Sequence, residues 1–197
     1  MNAPTAALLA LALATPLSAC KKAATPPPPA REIALGAHRL LVRLPAGWQV
    51  YDQGEQIVLK APPLTDADYK KWDLTGQVPS KGTGSVRIHD LGPAAAEGEA
   101  TPPLADFATR ALARLGHDAR RDIEFRRPLS VDGREAEEIG TWQRLAHTTP
   151  QRFLFVLDDG AVFAIASQPL GGEESLSGYE AIRASLQFVG GPDSARR

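Results

Sequence analysis

Two almost unbroken apolar runs, Phe153–Leu157 and Val162–Ser167, are separated by Asp158-Asp159-Gly160. A short connection containing glycine joins antiparallel strands. Strands without polar alternation belong in the middle of a sheet that is covered on both faces. This hairpin therefore demands a layered molecule, with apolar material above and below it. Further strands surround it in sequence. Leu40, Val42 and Leu44 alternate with Leu41 and Arg43 until Pro45-Ala46-Gly47 interrupts them, and Trp48-Gln49-Val50 follows. Asp52-Gln53-Gly54-Glu55 is a turn signal before Ile57 and Leu59, which predicts a second hairpin. Ser85–Leu91 alternates with Val86 and Ile88 inward and Arg87 and His89 outward. Ile123–Leu129 and Ala136–Leu145 flank the turn Val131-Asp132-Gly133.

Two helices complete the pattern. Leu104, Phe107, Ala108, Ala111, Leu112 and Leu115 recur at the spacing of a single helical face. Thr101 suits the N-cap, Pro102 the first helical position and Gly116 the left-handed close. Near the end, Ser177-Gly178-Tyr179-Glu180 has capping-box spacing, and Tyr179, Ile182 and Leu186 share one face. Short hairpin connections with helices between them indicate an α+β fold, an antiparallel β-sheet with two main helices packed on it. The face of Leu104, Phe107, Ala111 and Leu115 is expected to lie on strands that carry Phe153, Phe155, Phe163 and Ile165.

Three segments are similar to PsbP-like and DcrB-like domains. Arg39–Trp48 resembles their opening strand followed by Pro-x-Gly-Trp. Val131–Ala136 looks like their mid-domain turn, and Tyr179–Phe188 like their closing helix and short strand. The resemblance spans about residues 33–189 and implies a PsbP/DcrB-like α+β fold. It brings no shared catalytic residues, and the connections around 61–83 and 92–101 lie outside its pattern.

The amino-terminal segment is of another kind. Ala6–Ala14 is alanine and leucine only, the first 19 residues carry no charged side chain, and the run ends in Leu17-Ser18-Ala19-Cys20. This is the layout of a secretory signal peptide, too short to span a bilayer as a helix. It resembles the bacterial lipoprotein signal, with Leu, two small residues and the lipidated cysteine, although no Lys or Arg precedes the apolar segment. The resemblance implies cleavage before Cys20 and acylation of that residue. The other reading of Cys20, the only cysteine, is a free thiol after a cut elsewhere. Lys21–Ala30 then holds four prolines and favours an extended tether of roughly 30 Å. Lys21 and Lys22 fit either anionic headgroups or a soluble linker. The expected organisation is signal peptide 1–19, lipidated cysteine and Pro-rich tether 20–32, one domain 33–189 and a disordered tail 190–197.

Chemistry-bearing motifs are sparse. His38, His89, His117 and His147 lack zinc-site spacing, and each reads as a surface histidine, with His117 placed to favour an imidazolium at a helix end. No Gly-x-Ser-x-Gly elbow occurs. Gly82-Thr83-Gly84-Ser85 lacks the lysine of a phosphate loop. Asp66 with Asp68, and Asp158 with Asp159, lack the ligand series of a calcium loop. No catalytic residue, metal site or cofactor is therefore expected. With 22 basic against 23 acidic residues, the charge balance calls for no nucleic-acid partner.

Two surfaces stand out. In the long 61–83 connection, Tyr69 and Trp72 lie a helical turn apart beside Lys70 and Lys71. They suit partner recognition, or else cover an edge of the sheet. Arg110, Arg114, Arg120, Arg121, Arg126 and Arg127 form either a positive face or a mixed one with Asp118, Asp122 and Glu124. The expectation is a periplasmic lipoprotein held in the bilayer through acylated Cys20. Lys21 follows Cys20 in place of the aspartate linked to inner-membrane retention, which favours the outer membrane. It would act as a non-catalytic binding or accessory module on another envelope protein, and in a sharper form as an immunity protein against a toxic effector. The alternative class is an envelope hydrolase whose site the sequence does not display.

Overall fold

The computed structural model describes residues 28–36, 38–54, 56–75, 82–118, 122–142, 150–169 and 172–189, without the side chains of 69, 71–73 and 75. Strands β1 (Ala30–Leu35) and β2 (His38–Arg43) are followed by the hairpin β3 (Gln49–Asp52) and β4 (Gln56–Lys60). Helix α1 (Asp66–Thr75) leads to β5 (Ser85–Pro93), and helix α2 (Leu104–Arg114) to the strands β6 (Ile123–Val131), β7 (Arg134–Trp142), β8 (Pro150–Asp158) and β9 (Ala161–Ser167). Helix α3 (Gly172–Ser185) and the two-residue β10 (Gln187–Phe188) close the domain. The first strand begins at Ala30, three residues before the expected domain edge. The residues of the signal segment, Cys20 and 190–197 lie outside those described.

The strands form two antiparallel sheets, not one. The large sheet has the order β3-β4-β5-β9-β8-β7-β6, and a small one has the order β1-β2-β10. Three helices accompany them, the third being α1 within the long 61–83 connection. Strand β9 pairs with β5 and β8, so the apolar hairpin β8–β9 does sit inside the sheet. Its turn is a two-residue loop, Asp158 opposite Ala161, with both Asp159 and Gly160 at positive φ. Asp132-Gly133 repeats the device between β6 and β7. These are the torsions that a type I′ turn requires and that Asp-Gly supplies at low cost.

Successive side chains on a strand point to opposite faces, and the two faces of the large sheet meet different covers. On one face Val86, Ile88, Leu154, Val156, Phe163 and Ile165 join Tyr179 and Ile182 of α3 and Leu40 and Val42 of the small sheet. On the other, Phe153, Phe155, Ala164 and Ala166 meet Leu104, Ala108 and Leu112 of α2. Phe163 and Ile165 thus point away from α2, contrary to the expected grouping, because they alternate with the alanines that face it.

The helix ends also differ from expectation. Helix α3 starts at Gly172, so Ser177 lies inside it and not at a cap. Its first turn is engaged from outside: the Ser85 N–H donates to Ser175 Oγ (2.9 Å) and the Gly84 N–H to Glu174 Oε2 (2.8 Å). These bonds reach across 90 residues and have no local signature. Helix α2 has Pro103 at its N-cap, later than Thr101, with no side-chain cap. Its close is as read: Gly116 takes φ +84, the Gly116 N–H bonds Ala113 O and the His117 N–H bonds Leu112 O, a Schellman motif.

Candidate functional site: a cleft beside helix α2

The apolar stripe of α2 is wider than the surface it buries. Leu104, Ala108 and Leu112 are buried at four-residue intervals, whereas Phe107 and Ala111 are half-buried and Leu115 is 53% exposed. The helix lies mainly across β7 and β8. Arg126 of β6 fixes it there: Nη2 donates to Ala105 O (2.7 Å), Nη1 to Thr109 Oγ1 (2.8 Å), and Nε and Nη2 clasp Glu137 of β7, each at 2.9 Å. Such a bidentate ion pair adds geometric definition to its energy. The flank Phe107, Ala111 and Leu115 consequently overlooks the β9–β5 half of the face, where no described residue fills the space.

The result is a cleft of about 320 Å³, within the range of small-molecule sites. Phe153 and Phe155 of β8 and Ala164 and Ala166 of β9 form its floor, His89 and Leu91 of β5 its far wall, and Arg110 and Arg114 its rim. The vacancy has a local cause, since Ala94, Ala111, Ala164 and Ala166 are too short to meet across it. His89, expected to be outward and exposed, lines this wall half-buried. Burial and then the neighbouring Arg87 lower its pKa, so the ring is neutral at pH 7. His117, expected as a surface imidazolium, is buried with its ring edge-on to Phe153, centroids 5.3 Å apart. Burial lowers its pKa too and outweighs the pull of Asp122.

The other histidine to be placed, His38, is also buried rather than exposed. Its Nδ1 lies 2.9 Å from Asp158 Oδ2, and Arg134 bonds the second carboxylate oxygen while its guanidinium lies 3.6 Å over Phe188. Burial raises the Asp158 pKa, but the bonds from Arg134 and His38 outweigh it and the net shift is downward. The open recess beside this pair is lined by His38, Arg134, Asp158, Asp159 and Ala161, without a hydroxyl or thiol to act as nucleophile. A third polar group is internal. Glu138, fully buried, accepts from the Tyr179 hydroxyl (2.9 Å) and pairs with Arg127. It ties α3 to β7, and burial with the Glu138 charge raises the tyrosine pKa well above its usual value.

Of the expected partner residues, Lys70 is exposed on α1. The backbone of Tyr69, Lys71 and Trp72 is helical, and their side chains lie outside those described. Thr65 opens α1 as a capping box with Asp68, the Thr65 N–H donating to Asp68 Oδ2 at 2.9 Å. The arginine set divides. Arg126 and Arg127 are paired with Glu137 and Glu138, and only Arg110 and Arg114 of the described members stand at the cleft; Arg120, Arg121 and His147 lie outside those described. Among the described residues no three His, Cys, Asp or Glu gather as a metal site, and no helix is long and apolar enough to cross a membrane.

No family model and no curated protein matches the chain. Among solved structures it is similar to cyanobacterial PsbP (CyanoP) from Synechocystis sp. PCC 6803, with TM-score 0.52 and 10% identity over 89% of this chain and 100% of that one. The fold is PsbP-like. A second structure, PA94 from Pseudomonas aeruginosa, a protein of unknown function, matches at TM-score 0.41 and 20% identity over 77% of this chain and 89% of that one. At these identities the likeness to CyanoP concerns the backbone architecture alone.

Proposed function

We propose that this chain is a bacterial envelope lipoprotein, anchored by acylated Cys20 with its domain in the periplasm, and that the domain is a non-catalytic binding module. The outer membrane is the favoured site, from Lys21 after Cys20, and a DcrB-like variant of the PsbP-like fold suits the Pro-x-Gly-Trp opening and the closing helix. The observation that carries the binding reading is the cleft beside α2. Its apolar floor and cationic rim offer burial and orientation, the two things a binding site needs. Its described lining contains no Ser, Thr, Cys, Asp or Glu, so among the described residues nucleophile and general base would both have to come from one neutral histidine. Two stable signals suffice for membrane retention, and a diacylated cysteine supplies them.

Anchoring is tested by Cys20→Ala, which should abolish incorporation of labelled palmitate; unchanged labelling refutes the lipoprotein assignment. The cleft is tested in cells by placing a photocrosslinking residue at Leu115, with a control at exposed Glu32 on the small sheet. A bound component should be trapped from position 115 and not from position 32. Equal trapping from both positions, or none, refutes the cleft as the working surface.

A further inference from the structure

The occupant of the cleft is constrained by what the walls lack. The floor strands are interior: β5 is bonded to β4 and β9, and β9 to β5 and β8. From Val86 to His89 the backbone of β5 has ladder partners on both sides, and the ladder with β9 is irregular only between Asp90 and Pro93. Along the β8–β9 floor the backbone N–H and C=O groups are spent on the ladder, so the floor presents no free sheet edge. A peptide entering it would bring amides that need partners, each costing free energy when buried without one. Apart from His89, the described side chains of the floor and inner wall are hydrocarbon. The body of the ligand must then be hydrocarbon as well. The flank from Phe107 to Leu115 runs eight residues along the helix, roughly 12 Å, a slot shape that suits an extended chain.

The rim sets the charge of the head group. Arg39, Arg126, Arg127, Arg134, Arg152 and Arg183 each hold a carboxylate. Arg110 and Arg114, one turn apart at the mouth, have no ion pair among the described residues, and Asp106, one turn before Arg110, makes none with it. Arg87 is exposed two residues from His89 on the same face of β5. Unpaired guanidiniums above an apolar slot suit one anionic oxygen pair at the end of a chain, since the guanidinium fork binds carboxylate in bidentate fashion.

We propose that the cleft binds a single-chain carboxylate amphiphile, a free fatty acid in chemistry, with its chain over Phe153 and Phe155 and its carboxylate between Arg110 and Arg114. This rests on the cleft being the working surface and adds the class of its ligand. The experiment uses the full chain in phospholipid nanodiscs, labelled by a diazirine-bearing dodecanoic acid and mapped by mass spectrometry. Labelling should saturate on peptides of α2, β8 and β9. Laurate should displace it, and equal dodecanol or dodecyltrimethylammonium should not. Arg110→Glu with Arg114→Glu, both at exposed positions, should weaken labelling at least tenfold with the melting temperature retained. Ala111→Trp, which fills the slot, should abolish it. Displacement by dodecanol as strong as by laurate overturns the proposal, as does labelling that fails to saturate or survives in Ala111→Trp. If no acyl probe labels while position 115 still traps a component in cells, the ligand class is wrong and the cleft reading stands. If both fail, both readings fall.

Discussion

Strand β9 shows the difference between the two faces of the large sheet in one stretch of chain. Phe163 and Ile165 point toward α3 and the small sheet, and Ala164 and Ala166 point toward α2. On the α3 side the space is closed. Trp48 lies so close to the helix that a Cβ on Gly178 would meet its ring at 2.0 Å. On the α2 side four alanines and a displaced helix leave room for a ligand. Interiors are ordinarily packed with few voids larger than a water molecule. A sheet filled to that standard on one face and left open on the other draws its packing mainly from the α3 side.

The largest test of that contrast pairs two phenylalanines. Phe163→Ala removes a fully buried ring and should cost about 3–5 kcal/mol in denaturant melts. Phe107→Ala at the cleft flank should cost no more than about 1.5 kcal/mol, because its ring already faces space. Similar losses would mean that the faces are equally packed. A smaller effect is expected from overpacking. Gly178→Ala should destabilise by about 1–3 kcal/mol through its collision with Trp48, while Ala111→Val on the open side should stay within roughly 0.5 kcal/mol. A neutral Gly178→Ala variant would show that α3 has slack.

The smallest effects separate the faces by pH. Asp158, at the edge of the filled face, has a folded-state pKa below its unfolded value. Its contribution is therefore present above the unfolded value of about 4 and is lost as pH falls through the depressed one. Asp158→Asn should lower stability by on the order of 1 kcal/mol at pH 7, with the gap to wild type closing in acid. His117, behind the cleft, is held neutral with a lowered pKa. The unfolded chain binds that proton first, so stability falls as pH drops below about 6.5, and His117→Gln should flatten melting temperature between pH 7 and 5. A wild-type slope unchanged in His117→Gln, or an Asp158→Asn gap constant down to pH 2, contradicts these assignments.

Much of this architecture was legible in advance, for reasons that are local. The β8–β9 hairpin, the four-strand run β6 to β9 and the apolar stripe and Gly116 close of α2 follow from Asp-Gly turns and from periods of 2 and 3.6. The early start of α3 was not legible. It depends on Glu174 and Ser175 receiving the N–H groups of Gly84 and Ser85, a contact that no neighbouring residue announces. The buried states of His38 and His117 were missed for the same reason: their partners, Asp158 and Phe153, are remote in sequence. For the cleft, one signal was present. The α2 stripe counted six apolar positions, more than a single sheet contact needs, and the alanines of β9 stood opposite its surplus.

The sequence by itself determined most of the strands, the helices α2 and α3 and that the β8–β9 hairpin must be covered on both sides. Alternation states that a strand has two faces, but it does not say what will lie on either. That was decided by tertiary structure, by Arg126 holding α2 over β7 and β8 and by Trp48 and the small sheet closing around α3. The cleft exists because packing joins elements distant in the chain. Where the alanines of one meet the unburied flank of another, the unfilled volume belongs to the pair and is written in neither.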